Sequence, residues 1–101
     1  MFVRMAHWNC KPECWDEAAR LFESAAVPMM QEEPGFVRAM LLGPPGDNAR
    51  IAFTVWTDET VYREFANSEA MREITKMFGH MYGDDALPSP VEYEVWARSG
   101  S

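Results

Sequence analysis

One segment, residues 50–57, constrains the fold of this chain more than any other part of its sequence. A β-strand points alternate side chains to opposite faces of its sheet. The two alternate sets are Ile51, Phe53 and Val55 on one side, and Ala52, Thr54 and Trp56 on the other. Because neither set carries a charge, the segment is predicted to be a strand that is buried on both faces.

The elements around this segment follow the order β-α-β-β-α-β. Alternating patterns predict three further strands, at residues 2–8, 36–42 and 91–98. The composition of residues 43–48 predicts a turn, so the second and third strands should form an antiparallel hairpin. Apolar residues at steps of three and four predict a helix after the first strand and another after the third. This order is typical of the ferredoxin-like α+β fold, an antiparallel sheet with helices on one face.

Local signals indicate where the first helix begins and ends. Pro12 suits the first helical position, and Pro34-Gly35 ends the helix. Pro28 lies within the pattern, and its ring clashes with the carbonyl four residues back. We therefore expect a kink or a weakened turn at the end of this helix.

The second helical region consists of two segments. Thr57 or Asp58 is predicted to cap the first segment, and Asn67-Ser68 to interrupt the helix and cap the second. Residues 83–90 are predicted to form a loop. The chain of 101 residues fits one domain, which we assign to residues 1–98, with 99–101 as a flexible tail.

The uncovered face of the sheet predicts a homodimer. The chain carries four Trp, six Phe, three Tyr and eight Met, a large apolar load for a domain that buries only about two-thirds of its unfolded surface. In a one-sided sheet, the apolar third strand leaves one set of its side chains without cover. Packing two such sheets face to face would cover them and form a dimeric α+β barrel.

Charge and hydropathy exclude several classes of partner. Nine basic and sixteen acidic residues give a net charge of −7, which disfavours binding to a nucleic acid backbone. No apolar run approaches the ~20 residues of a membrane span. The first residues lack the pattern of a signal peptide, so the cytoplasm is the expected location.

Two cysteines raise the question of a metal or redox site. The spacing His7-x-x-Cys10-x-x-x-Cys14 brings three possible ligands together, and only His80 remains as a fourth. The spacing also differs from the Cys-x-x-Cys redox motif. We therefore expect neither a metal nor another cofactor, although the sequence leaves open whether Cys10 and Cys14 have such a role.

Three residues are candidates for catalysis. Trp56 could stack on an aromatic substrate and donate its indole N–H to a substrate oxygen, or it could be a core or interface residue. Tyr62 could orient a phenolic substrate, or be an amphipathic helix residue. His7 could act as a base near neutral pH, or be a hydrogen-bonded histidine within the sheet.

Apolar side chains of the second helical region could line a binding pocket. Phe65, Phe78 and Met81 have the spacing to face the gap between helices and sheet, where a small apolar or aromatic molecule could bind. The alternative is that these side chains only fill the core.

Three stretches of this sequence match, in residue type and spacing, stretches that occur together in one protein family. They are Glu33-Pro34-Gly35-Phe36, then the strand Ile51–Trp56, then the helix Asp58–Ser68. In these the chain resembles the antibiotic biosynthesis monooxygenase family, a group of dimeric α+β barrels. The resemblance extends over residues 2–98 and is most specific over residues 33–68.

The resemblance implies a cofactor-independent monooxygenase that acts on a small aromatic substrate of the polyketide or quinol type. In such members a Trp that ends the third strand and a Tyr six positions later lie by the substrate, as Trp56 and Tyr62 would here. An amide expected four residues before the Trp is replaced by Ala52. A non-catalytic barrel that binds a small ligand is the alternative.

A second alternative within the family is a haem-degrading monooxygenase. That type has a strand-one Asn, a helical Trp and an iron-binding helical His. Here Asn9 lies near the first position, while Phe65 and Thr75 occupy the other two. His80 would have to ligate iron from elsewhere.

Overall fold

The computed structural model describes residues 1–83 and 89–99, and within them four strands form one antiparallel sheet. The order across the sheet is β2-β3-β1-β4. This arrangement confirms the ferredoxin-like α+β prediction. The strands are β1 (Phe2–Asn9), β2 (Phe36–Leu42), β3 (Ala49–Trp56) and β4 (Val91–Glu94).

Two helical regions connect the strands, as predicted. The first runs from a 3₁₀ turn (Pro12–Cys14) through α1 (Trp15–Leu21) and a π-helical turn (Phe22–Ala26) into α2 (Val27–Gln31). The second comprises α3 (Glu59–Ala66), α4 (Glu69–Phe78) and a 3₁₀ turn (Gly79–Met81). Among residues 1–83 and 89–99, no helix is long and apolar enough to cross a membrane.

The irregularity expected at Pro28 lies one turn earlier in the helix. The Val27 N–H donates to the Phe22 carbonyl, five residues back, which is the hydrogen-bond pattern of a π-helix. Proline cannot donate a main-chain hydrogen bond, and a π-turn is one of the places at which helices bend. The helix therefore continues past Pro28 to Gln31.

Two side chains cap the second helical region where the sequence placed its caps. An Asp58 carboxylate oxygen accepts from the Val61 N–H at 2.9 Å, and the Ser68 hydroxyl accepts from the Met71 N–H at 3.2 Å. Gly35 lets the start of β2 approach α3, because a Cβ at this position would clash with the side chains of Val61 and Thr57. This close approach explains the glycine of the Pro-Gly-Phe stretch.

β4 is shorter than the strand predicted over residues 91–98. Its pairing with β1 ends at Glu94 opposite Phe2, and the Val95 N–H then donates to the Met1 carbonyl at 2.9 Å. Residues 84–88 of the predicted loop and residues 100–101 of the predicted tail lie outside the described residues.

The helices cover one face of the sheet. This face carries Phe2, Trp8, Trp56 and their neighbours, which pack with helical side chains into the main apolar core. The opposite face is also apolar, because register aligns one residue from each strand into a row. This row is Met40, Phe53, Met5 and Val91, in the order of the strands across the sheet. None of the four belongs to the core cluster, and Met40 and Val91 are 43% and 38% exposed.

Candidate functional site

A cavity of about 320 Å³ lies between the sheet and the helices that cover it. Its volume reflects two small residues, since Ala6 of β1 lies directly opposite Ala52 of β3 and both border the cavity. Larger side chains close the space around them. They include Arg4, Trp8, Phe22, Leu41, Trp56, Tyr62, Phe65, Ile74, Phe78 and Tyr82. The walls are therefore mainly apolar and aromatic, as in many small-molecule sites.

Trp56 borders this cavity, and its indole N–H is hydrogen-bonded within the protein. The side chain is 1% exposed, and Nε1 donates to the Thr54 hydroxyl oxygen at 3.0 Å. Its ring lies 5.0 Å from that of Phe65 and 6.2 Å from that of Tyr62, measured between centroids. Trp56 can thus present an aromatic surface to a ligand, while a polar contact here falls more naturally to the Thr54 hydroxyl.

Tyr62 reaches the cavity from α3 and is 6% exposed. Burial raises the pKa of its hydroxyl; the positive charge of Arg4 lowers that pKa, and Glu92 raises it again. Because the net direction is upward from an ordinary value of 10, the hydroxyl is protonated at neutral pH. A hydrogen bond from this hydroxyl to Glu92 contributes to the upward shift, so Tyr62 would have to exchange that partner to donate to a ligand, and it does not serve as a base.

The sequence interpretation missed Arg4 as a cavity residue. Strand alternation puts Arg4 on the helix-covered face, directly opposite Thr54 of β3, and its guanidinium carbon lies 5.9 Å from the Tyr62 ring centroid. Its Nε is buried and has no hydrogen-bond partner among residues 1–83 and 89–99. The available signal was its phase, two residues from Phe2 and from Ala6 on an otherwise apolar strand face. The cavity therefore contains a permanent positive charge.

Tyr82 was also missed, and it closes the cavity beside β1. Its ring meets Trp8 edge-on, with 5.2 Å between centroids. Burial raises the pKa of its hydroxyl, while the charge of Arg4 acts in the opposite direction. The charge of Arg4 is thus felt by both tyrosines that line the cavity.

The structure does not bring His7 together with Trp56 and Tyr62. His7 pairs with Ile51 and alternates with Ala6 and Trp8, which face the helices, so its imidazole belongs to the uncovered face. His7 is among the residues that line the cavity. Because its side chain points to the other face of the sheet, it contacts the cavity through its main chain. A catalytic role for His7 stays a prediction, and the direction of its side chain does not favour it.

The three predicted ligand-binding residues have different positions. Phe65 and Phe78 line the cavity, as the helical spacing suggested. Met81 is completely buried in the core and does not border the cavity, because it lies in the 3₁₀ turn that follows α4 and not on the helix itself. Its carbonyl accepts a hydrogen bond from the Lys11 N–H at 2.9 Å. Met81 is therefore a core residue that packs near the cavity without lining it.

The described residues offer no metal centre. Cys10 and Cys14 are buried and unlinked, and no group of three His, Cys, Asp or Glu side chains in residues 1–83 and 89–99 could hold an ion. Burial is the main reason that the pKa of Cys10 is raised, so this residue is a thiol at neutral pH. His80 is exposed and lies 3.2 Å from a Glu17 carboxylate oxygen.

The cavity residues do not fit haem. Thr75, at the expected ligand position, borders the cavity and donates its hydroxyl to the Met71 carbonyl at 3.0 Å. Among the described lining residues, the one histidine is His7, whose imidazole lies on the other face of the sheet. No side chain is therefore placed to bind iron from the helical wall.

An ion pair joins α3 to β4 at the edge of the cavity. Two nitrogens of Arg63 donate to the two oxygens of Glu92, each at 2.7 Å, and a third contact reaches Glu59 at 3.2 Å. Hydrogen bonds from Arg63 are the main reason that the pKa of Glu92 is lowered from 4.5. The pair fixes β4 beside the helix that carries Tyr62.

The lowered pKa of Glu92 predicts an acid-sensitive contribution to stability. A folded-state pKa below the unfolded value gives stabilisation that is present above the unfolded pKa and lost as the pH falls through the folded one. We expect Glu92→Gln to lower Tm by a few degrees at pH 7, and the difference from wild type to shrink progressively as the pH falls below 4.5, the ordinary pKa of the carboxyl group. Thermal melts from pH 3 to pH 7 would measure it. Glu94→Gln is the control on the same strand; an equal loss there would contradict the assignment to this pair.

Comparisons with known proteins agree with this architecture. The sequence model of the family described as antibiotic biosynthesis monooxygenase matches residues 1–77. A search of curated proteins found no match.

Several solved structures share the fold. A monooxygenase from the gene ActVA-Orf6 of Streptomyces coelicolor, in complex with the ligand nanaomycin D, has a TM-score of 0.79 at 20% identity, covering 99% of this chain and 92% of that one. SnoaB, a cofactor-independent oxygenase from Streptomyces nogalater, has a TM-score of 0.73 at 17% identity, covering 96% and 94%. A conserved protein from Methanosarcina mazei Go1 has a TM-score of 0.75 at 18% identity, covering 91% and 89%. The family match covers most of the chain, and the chain therefore belongs to the antibiotic biosynthesis monooxygenase family.

Proposed function

We propose that this protein is a cofactor-independent monooxygenase that oxidises a small aromatic substrate of the polyketide or quinol type in the cavity. The observation that carries the proposal is the cavity itself, which has a volume of about 320 Å³ and a mainly apolar and aromatic lining that includes the polar side chains of Arg4, Thr54 and Tyr62. Family membership supports the reaction class, and a relative of the same fold was solved with nanaomycin D bound. Fold alone does not establish a reaction, so the proposal depends on the site.

The chemistry follows from an electron-rich substrate. An ionised phenol can transfer electrons to dioxygen and form a carbon–oxygen bond at a ring carbon that carries hydrogen. Loss of water from the resulting hydroperoxide leaves a carbonyl, so that phenol and O₂ yield a quinone and one H₂O. Trp56 and Phe65 would hold the ring away from solvent, and the protonated Tyr62 hydroxyl would donate to the peroxide oxygen in exchange for its hydrogen bond to Glu92.

Oxygen consumption with phenols and hydroxynaphthalenes would test the reaction. We expect one O₂ to be consumed for each quinone formed, without added flavin, metal or haem. Ala52→Leu places three more carbon atoms in the cavity, and it should lower kcat/KM by about tenfold or more by displacing the ring. Ile51→Leu, on the next residue but on the other face of the sheet, should change kcat/KM by less than about twofold.

Two results would redirect the proposal. Tight binding of these aromatics with no oxygen uptake would replace the enzyme by a ligand-binding barrel. Equal losses in the two leucine variants would mean that the cavity is not where the reaction occurs.

We also propose that the protein is a homodimer whose two sheets pack through their uncovered faces. The row Met40, Phe53, Met5 and Val91 crosses the whole sheet. The neighbouring row begins at Arg38 and continues with Val55, Val3 and the half-exposed Tyr93, so it is apolar on three of the four strands. Contiguous apolar surface of this kind is typical of an interface. A cytoplasmic location is part of the same proposal, and the unlinked Cys10 and Cys14 thiols support it.

A further inference from the structure

We propose that Arg4 binds an anionic oxygen of the ligand, so that the cavity selects aromatic molecules carrying an ionised phenol, enol or carboxyl group. This inference rests on the proposed use of the cavity as a substrate site, and it names the substrate class. Among the described residues that line the cavity, Arg4 is the one with a permanently charged side chain, and the inference gives that charge a role.

The position of Arg4 is unusual for an arginine that serves only the fold. Arginine carries its charge at every accessible pH, and proteins normally pair a buried charge with a carboxylate or with several hydrogen-bond acceptors. The Nε of Arg4 is buried without an acceptor, and residues 1–83 and 89–99 supply neither a hydrogen bond nor an ion pair to its guanidinium. Its one specific contact in this region is with the ring face of Tyr62, 5.9 Å away. Within the described residues, the Nε–H of Arg4 is therefore free to donate to a ligand.

The nearest carboxylate in the sheet is already committed elsewhere. Glu92 of β4 lies opposite Arg4 in the strand register, but both of its oxygens accept from Arg63 at 2.7 Å. Arg63 is exposed and also contacts Glu59. The ion pair between Arg63 and Glu92 therefore neutralises the charge of Glu92 on the surface of α3 and β4. Glu92 is close enough for the charge of Arg4 to help lower its pKa, but its hydrogen bonds go to Arg63 and Tyr62 and not to the Arg4 guanidinium.

A cation in an apolar cavity changes the acidity of what binds there. It favours the ionised form of a phenol or enol, in the way that a neighbouring positive charge lowers the pKa of a carboxyl group. The effect on the substrate replaces a general base, which the side chains facing the cavity do not provide. Thr54 lies directly opposite Arg4 in the strand register, so the Arg4 guanidinium and the Thr54 hydroxyl can both donate to an oxygen bound between them. That position would hold the anionic oxygen.

A matched pair of ligands would test the inference by calorimetry. The probe is 2-hydroxy-1,4-naphthoquinone, which is ionised at pH 7, and its neutral partner is 2-methoxy-1,4-naphthoquinone. We expect the wild type to bind the anion at least about tenfold more tightly than the neutral compound. Arg4→Met should abolish this preference and leave binding of the neutral compound within about threefold. Arg4→Lys, which keeps the charge without the fork, should retain part of the preference.

Controls separate the failure of this inference from the failure of the proposed function. Arg38→Met makes the same change on the uncovered face and should keep the preference, and circular dichroism confirms that each variant is folded. Equal affinities in wild type, or an unchanged preference in Arg4→Met, would overturn the role of Arg4 and leave the cavity as an aromatic site. If neither compound binds the wild type, the cavity is not such a site and both proposals are overturned. If Arg4→Met does not fold, Arg4→Lys decides. A reduced anion preference in folded Arg4→Lys supports the role of Arg4, and a preference equal to that of the wild type overturns it.

Discussion

Replacing Trp56 with alanine is expected to lower the free energy of unfolding by about 3 to 5 kcal/mol, the usual cost of removing a buried aromatic side chain. Trp56 is 1% exposed and lies between strand and helices, with Phe36 at 5.4 Å and Phe65 at 5.0 Å between ring centroids. Its removal would enlarge an existing cavity. The surrounding side chains could then fill little of the space, so most of the lost packing would not be recovered. The loss would also leave the Thr54 hydroxyl without its donor.

Trp56→Phe is the matched variant, because it keeps an aromatic ring and removes the indole N–H. We expect it to cost about 1 to 2 kcal/mol, from one lost hydrogen bond and a smaller loss of volume. Urea unfolding followed by circular dichroism would measure both variants at one protein concentration. If the phenylalanine variant lost as much stability as the alanine variant, the hydrogen bond to Thr54 rather than packing would dominate.

The sequence was sufficient for the fold because its strongest signals are local. The alternation of residues 51–56 and the caps at Asp58 and Ser68 each depend on a few neighbouring residues, and the structure has them as predicted. The end of β4 is different, because β4 ends where β1 has no further residues to pair with it, at Glu94 opposite Phe2. A pattern within residues 91–98 contains no information on that partner.

The candidate site was harder to predict, because it is made by contacts between distant residues. Ala6 and Ala52 leave room for a cavity only because register places them opposite one another. The same register assigns Arg4 to the cavity side and His7 to the other, while the residues of β1 alone show a mixed pattern with no preferred face. Trp56 was identified by its position, but its hydrogen bond to Thr54 could not be predicted without a rotamer.

A single charge at the centre of the uncovered face should dissociate the proposed dimer. Phe53 lies between Met40 of β2 and Met5 of β1, so Phe53→Glu puts a carboxylate in the middle of the apolar row. In a two-fold symmetric interface the change occurs twice, and each buried carboxylate would lack a partner. We expect the dimer dissociation constant to rise at least about 100-fold. Sedimentation velocity over a range of concentrations would measure it.

Thr60→Glu adds the same charge on the exposed surface of α3 and should leave the dimer intact. A wild type that sediments as a monomer at micromolar concentration, or equal dissociation of the two variants, would refute the proposed interface. The helices, and not the uncovered face, enclose the cavity. A monomeric Phe53→Glu protein should therefore still bind an aromatic anion, with lower stability, since the interface and the binding cavity lie on opposite faces of the same sheet.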